Sequence, residues 1–400
     1  QLEHQGVTFY FVDNEYYFKR RGLYGYYDDG ERFAFFSRAV LEALRYLNFS
    51  PDVLHCHDWH TAAVPVLLNA HYRSVYPQLR TTFTIHNLKY QGVFARSVLG
   101  ELLNLGDEYF TPDKLEFHGA VNYLKGGLVY SDLLTTVSRT YAEEIQTPYY
   151  GEKMDGLLRS RKDSLLGIVN GIDYEAYNPQ HDEHIVMPYT WRSAKRKSQN
   201  KIKLQEHVGL PVNPDVPVVA IVSRLVEAKG LDLIAHVFEE LIAQDLQLVV
   251  LGTGDSHYES MFKVAAYRYP DKVSANIFFD DALAHKIYAG ADIFLMPSQF
   301  EPCGIGQLIA LRYGTLPVVR ETGGLKDTVQ SYNEETGEGN GFSFTNYNAH
   351  DMLYTVNRAL TLYSQRELWD PIVKSAMKAD YSWRQSAKQY VQLYQTLTQG

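Results

Sequence analysis

Apolar, β-rich runs alternate with helical patterns along most of the chain, which is the rhythm of βαβ units and parallel sheets. Each predicted strand is followed by a loop that carries Gly, Asn, His or a charged residue. Ligands of open α/β sheets bind at the carboxyl ends of strands, so these loops are the first candidates for a functional site. The predicted strands are 53–54, 81–85, 133–137, 165–169, 216–223, 246–251, 276–279, 293–297 and 316–319.

The length of 400 residues exceeds what one hydrophobic core usually holds, so we predict two domains. A break before the polar stretch 179–205 gives one Rossmann-like domain over 1–166 and a second over 167–381. The helical pattern of 382–400 is expected to pack back on the first domain. A further strand is predicted at 7–12 and a further helix at 200–208.

Composition narrows the class of protein. With 45% hydrophobic and 21% charged residues, the chain is predicted to be folded and globular. A net charge of −9 argues against nucleic acid or anionic membranes as partners, and no apolar run is long enough to cross a bilayer. The two cysteines, Cys56 and Cys303, cannot form a disulfide framework, which fits the cytoplasm.

Two loops of the second half could hold phosphate groups. The run VVAIVSRLVEAKGLD places Arg224 and Lys229 between a buried strand and a helix, where two cations can bind a diphosphate. A solvated loop with two surface cations is the alternative. The next strand ends at Gly252 and Gly254, whose missing side chains would let backbone amides approach a ligand. Taken alone, this GxG fits a plain strand-to-helix turn better than a binding loop.

The segment from Ile293 to Tyr313 carries a stronger signal. Gly304 and Gly306 expose amides where a helix begins, which favours phosphate oxygens, and Glu301 stands just before them as an isolated acid. Such an acid could bond sugar hydroxyls or stabilise positive charge at an anomeric carbon. One strand later, the glycine pair in ETGGL repeats the arrangement.

Two histidine-bearing runs occur in the first half. His86 opens a polar cluster, HNLKYQG, after a strand and could donate to a substrate hydroxyl or phosphate. The run HCHDWH at 55–60 is dense enough in ligands for zinc, but its order differs from the H-x-H-x-D-H run of binuclear metallohydrolases. The competing interpretation places Asp58 and Trp59 on a cleft wall, with the indole stacking on sugar, and expects no metal.

Taken together, SRLVEAKGLD, EPCGIGQLIALRYGTLPVVRETGGLKDTV, HDWHTA, IHNLKYQG and VNGID resemble bacterial glycogen synthases and plant starch synthases. These are retaining glucosyltransferases of the GT-B fold, an α/β fold in which two Rossmann-like domains face a central cleft. The resemblance implies transfer of glucose from ADP-glucose to the non-reducing end of an α-1,4-glucan, such as glycogen or a maltooligosaccharide. It implies neither a metal nor another cofactor.

The resemblance also assigns roles to residues. Arg224 and Lys229 match the family's phosphate-binding pair, Glu301 its catalytic-centre carboxylate, and His86 its first-domain sugar contact. Phe279 falls where the family usually has a Tyr that stacks on adenine. The remaining substrate contacts implied are Asp58, Trp59, Asn87, Tyr90, Asn170, Gly252, Cys303, Gly304, Ile305, Gly306 and Thr322.

One motif of the family has no counterpart in the sequence. No K-x-G-G-L loop precedes Val7, so the first strand–helix–strand unit of the first domain is expected to be missing, and activity of the chain is open. The missing loop supports one alternative to the leading hypothesis, an inactive protein that binds glucan or nucleotide. Two others also stand beside it: a UDP-glucose-dependent glucosyltransferase of the same fold and a metallohydrolase.

Overall fold

Two parallel β-sheets organise the chain, one in each unit of the computed structural model, which describes residues 1–399. The first unit comprises 1–137, 142–167 and the chain from Tyr390 on, and the second comprises 138–141 and 168–389. The predicted helix at 382–400 forms as Trp383–Gln399, but only its part from Tyr390 belongs to the first unit.

The first unit is built around a four-stranded sheet with the order β3-β4-β8-β9, all parallel. Separate antiparallel sheets are formed by β1 and β2 and by β5, β7 and β6. The strands of the whole unit are β1 (Leu2–His4), β2 (Val7–Phe9), β3 (Val53–His57), β4 (Arg80–Ile85), β5 (Val93–Phe94), β6 (Glu116–Phe117), β7 (Ala120–Asn122), β8 (Leu133–Thr136) and β9 (Leu165–Gly167). Its helices are α1 (Glu15–Phe18), α2 (Asp29–Ala43), α3 (Asp58–Thr61), α4 (Ala63–Leu67), α5 (Val98–Glu101), α6 (Tyr123–Tyr130), α7 (Arg139–Glu144), which begins in the second unit, and α8 (Asp155–Ser160). Single helical turns lie at Leu68–Tyr72, Asp107–Tyr109 and Lys162–Ser164.

The second unit contains a six-stranded sheet. Its strands are β10 (Val218–Val222), β11 (Gln247–Leu251), β12 (Val273–Asn276), β13 (Ile293–Met296), β14 (Leu316–Arg320) and β15 (Phe342–Phe344). Its helices are α9 (Lys197–His207), α10 (Leu231–His236), α11 (Phe238–Ala243), α12 (Ser256–Arg268), α13 (Asp281–Gly290), α14 (Gly306–Tyr313), α15 (Gly323–Thr328), α16 (Ala349–Tyr363), α17 (Arg366–Lys378) and α18 (Trp383–Gln399), with 3₁₀ turns at Trp191–Arg196 and Glu227–Lys229.

The strand order of this sheet determines where a ligand can bind. The order is β12-β11-β10-β13-β14-β15, and every neighbouring pair is parallel. This is the doubly wound arrangement, in which the connections change direction between the first and fourth strands, here β10 and β13. The loops that follow β10 and β13 therefore open a crevice at the switch point.

The core explains why these segments are strands. All residues of β11 and the first four of β10 are buried, as expected for parallel strands covered by helices on both faces. Helix α13 begins where the Asp280 carboxylate accepts the Leu283 amide at 2.8 Å, and α14 ends at Gly314, whose φ of +68° is left-handed. Within residues 1–399, no helix is both long enough and apolar enough to span a membrane.

Two strand predictions are wrong in detail, and one strand of the second sheet was not predicted. The strand predicted at 276–279 lies earlier in the structure, as β12 at Val273–Asn276. It ends level with its neighbour β11, since the last residue of β11, Leu251, pairs with Asn276. The strand predicted at 7–12 is only Val7–Phe9, which forms an exposed antiparallel hairpin with β1 instead of entering a parallel sheet. Strand β15 was not predicted, since its three residues are too few to show a pattern.

Candidate active site

An ion pair occupies the switch point of the second unit. The Lys229 ammonium, after β10, lies 2.6 Å from a carboxylate oxygen of Glu301, after β13. Ser298 donates a hydrogen bond to the same oxygen at 3.0 Å. Glu301 is therefore a buried, paired acid and not the isolated one expected from sequence, which offered no sign of a partner 72 residues away.

The loop after β10 leaves two cations in different settings. Lys229 has 20% of its side chain exposed, and Glu301 is its sole protein acceptor in the described chain, so further ammonium N–H donors remain for a ligand. Arg224 is exposed, and within residues 1–399 its guanidinium pairs with no carboxylate. This separation gives the loop one anchored and one free positive charge.

Gly252 and Gly254 serve this loop through packing. A Cβ on Gly252 would lie 1.9 Å from the Ser223 carbonyl oxygen, and a Cβ on Gly254 would lie 2.3 Å from that of Leu225. Their amides are already bonded, to the Asn276 carbonyl at 3.1 Å and to Glu259 at 3.0 Å. The expectation that the Gly252 amide approaches a ligand is therefore wrong, and the glycines instead let the Arg224 loop lie close.

The glycine pair at 323–324 supports the Glu301 loop in the same way. A Cβ on Gly323 would lie 2.0 Å from the Glu301 carbonyl oxygen, and one on Gly324 would lie 2.1 Å from that of Cys303. The Gly324 amide donates to the Pro302 carbonyl at 3.1 Å. Thr322, just before the pair, is completely buried, so its predicted place beside phosphates is not matched by an exposed side chain.

The start of α14 offers backbone donors. Gly304, with φ of +72°, and Ile305, which is 47% exposed, lead into the helix at Gly306. The first amides of a helix have no acceptor within it, and the helix dipole favours an anion there. The Cys303 thiol is bonded to the Asn170 backbone, and burial raises its pKa to about 12, so it stays neutral.

Phe279 lies between β12 and α13 with 88% of its surface exposed. The ring is therefore accessible to a ligand, and its stacking on adenine stays a prediction.

A histidine pair forms the polar centre of the first unit. His57 is the last residue of β3 and His86 follows β4, so neighbouring parallel strands bring them together, with His57 Nδ1 3.0 Å from His86 Nε2. Burial and the adjacent His86 lower the pKa of His57 to about 4, so His57 is neutral at physiological pH. The sequence analysis considered His57 only as a member of the HCHDWH run and did not predict its contact with His86, although its place at a strand end was a usable signal.

Asp58 and Trp59 differ from their predicted roles. The Asp58 carboxylate accepts a hydrogen bond from the His86 backbone amide at 2.8 Å, and the Asp58 backbone itself has a left-handed φ of +55°. Asp58 therefore positions His86. Trp59 is only 8% exposed and packs against Phe33 and Phe94, with ring centroids 5.0 and 5.7 Å away. The indole is a core residue and does not present a stacking face.

The neighbouring polar residues are more open. The Asn87 side chain accepts the Lys89 amide at 3.0 Å, and Tyr90 is 50% exposed. His55 is held by Thr84 and Tyr394, both at 2.6 Å, so it has no ring nitrogen left. Across residues 1–399, no three His, Cys, Asp or Glu side chains are grouped as a metal site.

Comparisons with known proteins connect both units to one family. Residues 1–160 match the starch synthase catalytic domain, and residues 203–375 match glycosyl transferases group 1. The glycogen synthase of Anoxybacillus flavithermus is 59% identical over all of this chain and 83% of its own length. That of Geobacillus thermodenitrificans is 61% identical over 99% of this chain and 82% of its own length.

Solved structures agree with the sequence matches. The catalytic domain of starch synthase IV from Arabidopsis thaliana, bound to ADP and acarbose, is 36% identical, with a TM-score of 0.89 over 96% of this chain and 80% of its own. Sucrose-phosphate synthase from Thermosynechococcus elongatus, 18% identical, shares the fold with a TM-score of 0.59 over 92% and 78% of the two chains. The predicted α/β fold and resemblance are confirmed: the chain belongs to the family of bacterial glycogen synthases and plant starch synthases, glycosyltransferases of the GT-B fold.

Proposed function

We propose that this glycosyltransferase moves glucose from ADP-glucose to the non-reducing end of an α-1,4-glucan, with retention at the anomeric carbon. The observation that carries the proposal is the Lys229–Glu301 pair at the switch point, with Arg224 exposed on the same loop. The relative bound to ADP and acarbose supports a nucleoside diphosphate and a glucan as ligands.

The leaving diphosphate is the main electrostatic demand of this reaction. The bond from the glucose C1 to the diphosphate breaks, a bond from C1 to the acceptor hydroxyl oxygen forms, and the hydroxyl proton is released. In this proposal Arg224 and Lys229 donate to the diphosphate oxygens, and the first amides of α14 add neutral donors. Donors placed in advance at the position of developing charge are the largest source of catalysis in such sites.

Glu301 has two tasks in this proposal. Its carboxylate holds Lys229 at 2.6 Å, which fixes the ammonium before the donor arrives. Its negative charge also stabilises positive charge that develops at the anomeric carbon as the diphosphate departs. Ser298 limits the rotation of the carboxylate, so Glu301 and Ser298 together set the direction of the ammonium.

His86 is the proposed contact of the first unit with the transferred sugar. His57 lies 3.0 Å from its Nε2, and Asp58 accepts its backbone amide, so the position of His86 is restrained from two sides. The other ring nitrogen, Nδ1, is then left to hydrogen-bond a sugar hydroxyl.

No cofactor is part of the proposal, because ADP-glucose is a substrate and the two cations with the α14 amides offset the diphosphate charge. Activity should be unchanged after dialysis against a metal chelator, and its loss would contradict this point. A cytoplasmic location belongs to the same proposal, since both cysteines are buried free thiols.

A donor screen tests the function. The natural full-length protein is incubated with maltooligosaccharides and either ADP-glucose or UDP-glucose, and released nucleoside diphosphate and chain elongation are measured together. We expect ADP release matched by elongation. Release of UDP alone would contradict ADP-glucose as the donor, and ADP-glucose binding without release of ADP would indicate a binding protein.

A further inference from the structure

A cavity lies at the amino ends of the strands of the second sheet, whereas the candidate active site lies at their carboxyl ends. It has a volume of about 410 Å³. Asp292 immediately precedes β13, and Gly314 and Asp215 lie shortly before β14 and β10, so the cavity opens at the amino ends of the strands. The Arg224 and Glu301 loops follow the carboxyl ends, so this cavity is separate from the proposed donor site.

The cavity is positively charged in a chain whose net charge is −9. Three acidic residues line it, Asp215, Asp292 and Asp370, against six basic ones. The basic residues are Arg192, Lys195, Lys197, Lys201, Arg366 and Lys374.

The two inner lysines are already paired. Lys201 lies 2.8 Å from Asp292 and donates to the Tyr363 hydroxyl at 2.6 Å, which neutralises the deepest acid. Lys197 donates to two backbone carbonyls and to Thr315. Burial lowers the pKa of Lys197 to about 7, so it adds only part of a charge at neutral pH.

The four cations of the rim carry the excess charge. Arg192, Lys195, Arg366 and Lys374 are all exposed, and within residues 1–399 none lies within salt-bridge distance of a carboxylate. The guanidinium carbons of Arg192 and Arg366 lie 4.4 and 3.9 Å from the ring centroids of Trp191 and Tyr363. Arg366 also hydrogen-bonds the Tyr363 side chain. Stacking holds a planar guanidinium in place, and the edge N–H groups that are not used in this way can bind phosphate oxygens.

We propose that this cavity, which we call the basic pocket, binds a small phosphorylated metabolite through Arg192, Lys195, Arg366 and Lys374. Its volume is within the range of small-ligand sites and larger than a phosphate ion requires, which favours a monoester. Because the basic pocket lies at the amino ends of the strands and the donor site at their carboxyl ends, we expect the pocket's ligand and ADP to bind to the protein at the same time. The inference does not depend on the identity of the sugar donor.

Thermal unfolding of the natural full-length protein tests the basic pocket, with saturating ADP present to occupy the donor site. Inorganic phosphate is titrated to about 20 mM at constant ionic strength, and the shift in Tm gives its affinity. We expect stabilisation of the wild type and at least ~tenfold weaker binding in the double variant Arg366→Glu, Lys374→Glu. The control Lys263→Glu reverses an exposed charge on α12, outside the pocket, and should bind phosphate as the wild type does.

Three results would overturn the proposal: no stabilisation of the wild type, equal stabilisation of the double variant, or an equal loss in the control. If the double variant does not fold, Arg192→Glu with Lys195→Glu makes the same test from the other side of the rim. Methyl phosphate distinguishes the ligand class, because a monoester site binds it at least as well as phosphate. Exclusion of methyl phosphate would overturn the assignment to a monoester.

Discussion

The Lys229–Glu301 pair gives the sharpest prediction. Replacement of Glu301 by Gln keeps the size of the side chain but removes the charge 2.6 Å from the ammonium. Ser298 and Lys229 can both still donate to the amide oxygen, so the variant keeps the neutral contacts of the loop. Lys229 loses the negative charge that anchors its ammonium and is held less firmly when the donor arrives.

The magnitude follows from the pair's setting. A hydrogen bond to a charged group contributes about 1.5–3 kcal/mol, so a misplaced Lys229 alone lowers kcat/KM by about 10- to 100-fold. Loss of the negative charge near the anomeric carbon adds to this, and we expect Glu301→Gln to lower turnover at least ~10²-fold. Only 9% of the Glu301 side chain is exposed, so Lys229→Met, which removes the cation and leaves Ser298 as the remaining donor of the two, should also cost about 1–3 kcal/mol of unfolding free energy.

A double-mutant cycle is the assay. The natural full-length protein, Lys229→Met, Glu301→Gln and the double variant are compared in kcat/KM for ADP-glucose and in thermal unfolding. Because the two side chains act as one unit, the double variant should be at least ~tenfold more active than the product of the single losses predicts. Losses that simply multiply, or near-normal turnover in Glu301→Gln, would refute the reasoning.

Three further predictions test other parts of the chain. Arg224→Ala should weaken ADP binding at least ~tenfold in calorimetry, whereas Arg268→Ala, an exposed arginine on α12, should not; equal affinities would make Arg224 a surface cation. Gly252→Ala should lower the free energy of unfolding by at least ~2 kcal/mol, because its Cβ would lie 1.9 Å from a carbonyl oxygen, while Gly156→Ala, with its nearest atom 3.9 Å away, should not; unchanged melting of Gly252→Ala would contradict the packing role. Burial lowers the pKa of His55 from 6.5 to about 3. As pH falls through this range, the unfolded chain binds a proton at His55 before the folded chain does, so the stability that the neutral ring contributes is lost. Between about pH 7 and pH 5 the wild type should therefore lose about 1–2 kcal/mol more than His55→Gln in chemical denaturation, and parallel losses would argue against it.

Local pattern was sufficient for the class of fold. Continuous apolar strands separated by helical segments indicate parallel sheets, because such strands are covered on both faces. The positions of the Arg224 and Glu301 loops after strands were also visible, since a loop's place depends only on the strand before it. Residue identity at those loops was sufficient for the family.

The order of strands came only from the tertiary structure. Hydrogen bonding across β10 and β13 creates the switch point and brings Lys229 to Glu301, and no local signal encodes which strands become neighbours. For the same reason β15 was not predicted: its three residues form a strand only because they pair with β14.

Burial and close approach were likewise decided in three dimensions. The glycines at 252 and 323 are indistinguishable in sequence from ligand-binding glycines, but the carbonyl oxygens that exclude a Cβ come from segments more than 20 residues away. Trp59 has the residue type of a sugar-stacking ring, and only the packing of Phe33 and Phe94 around it makes it core. Sequence therefore determined the fold class, the family and the residue types of the loops, whereas contacts between distant segments decided which of those residues can meet a ligand.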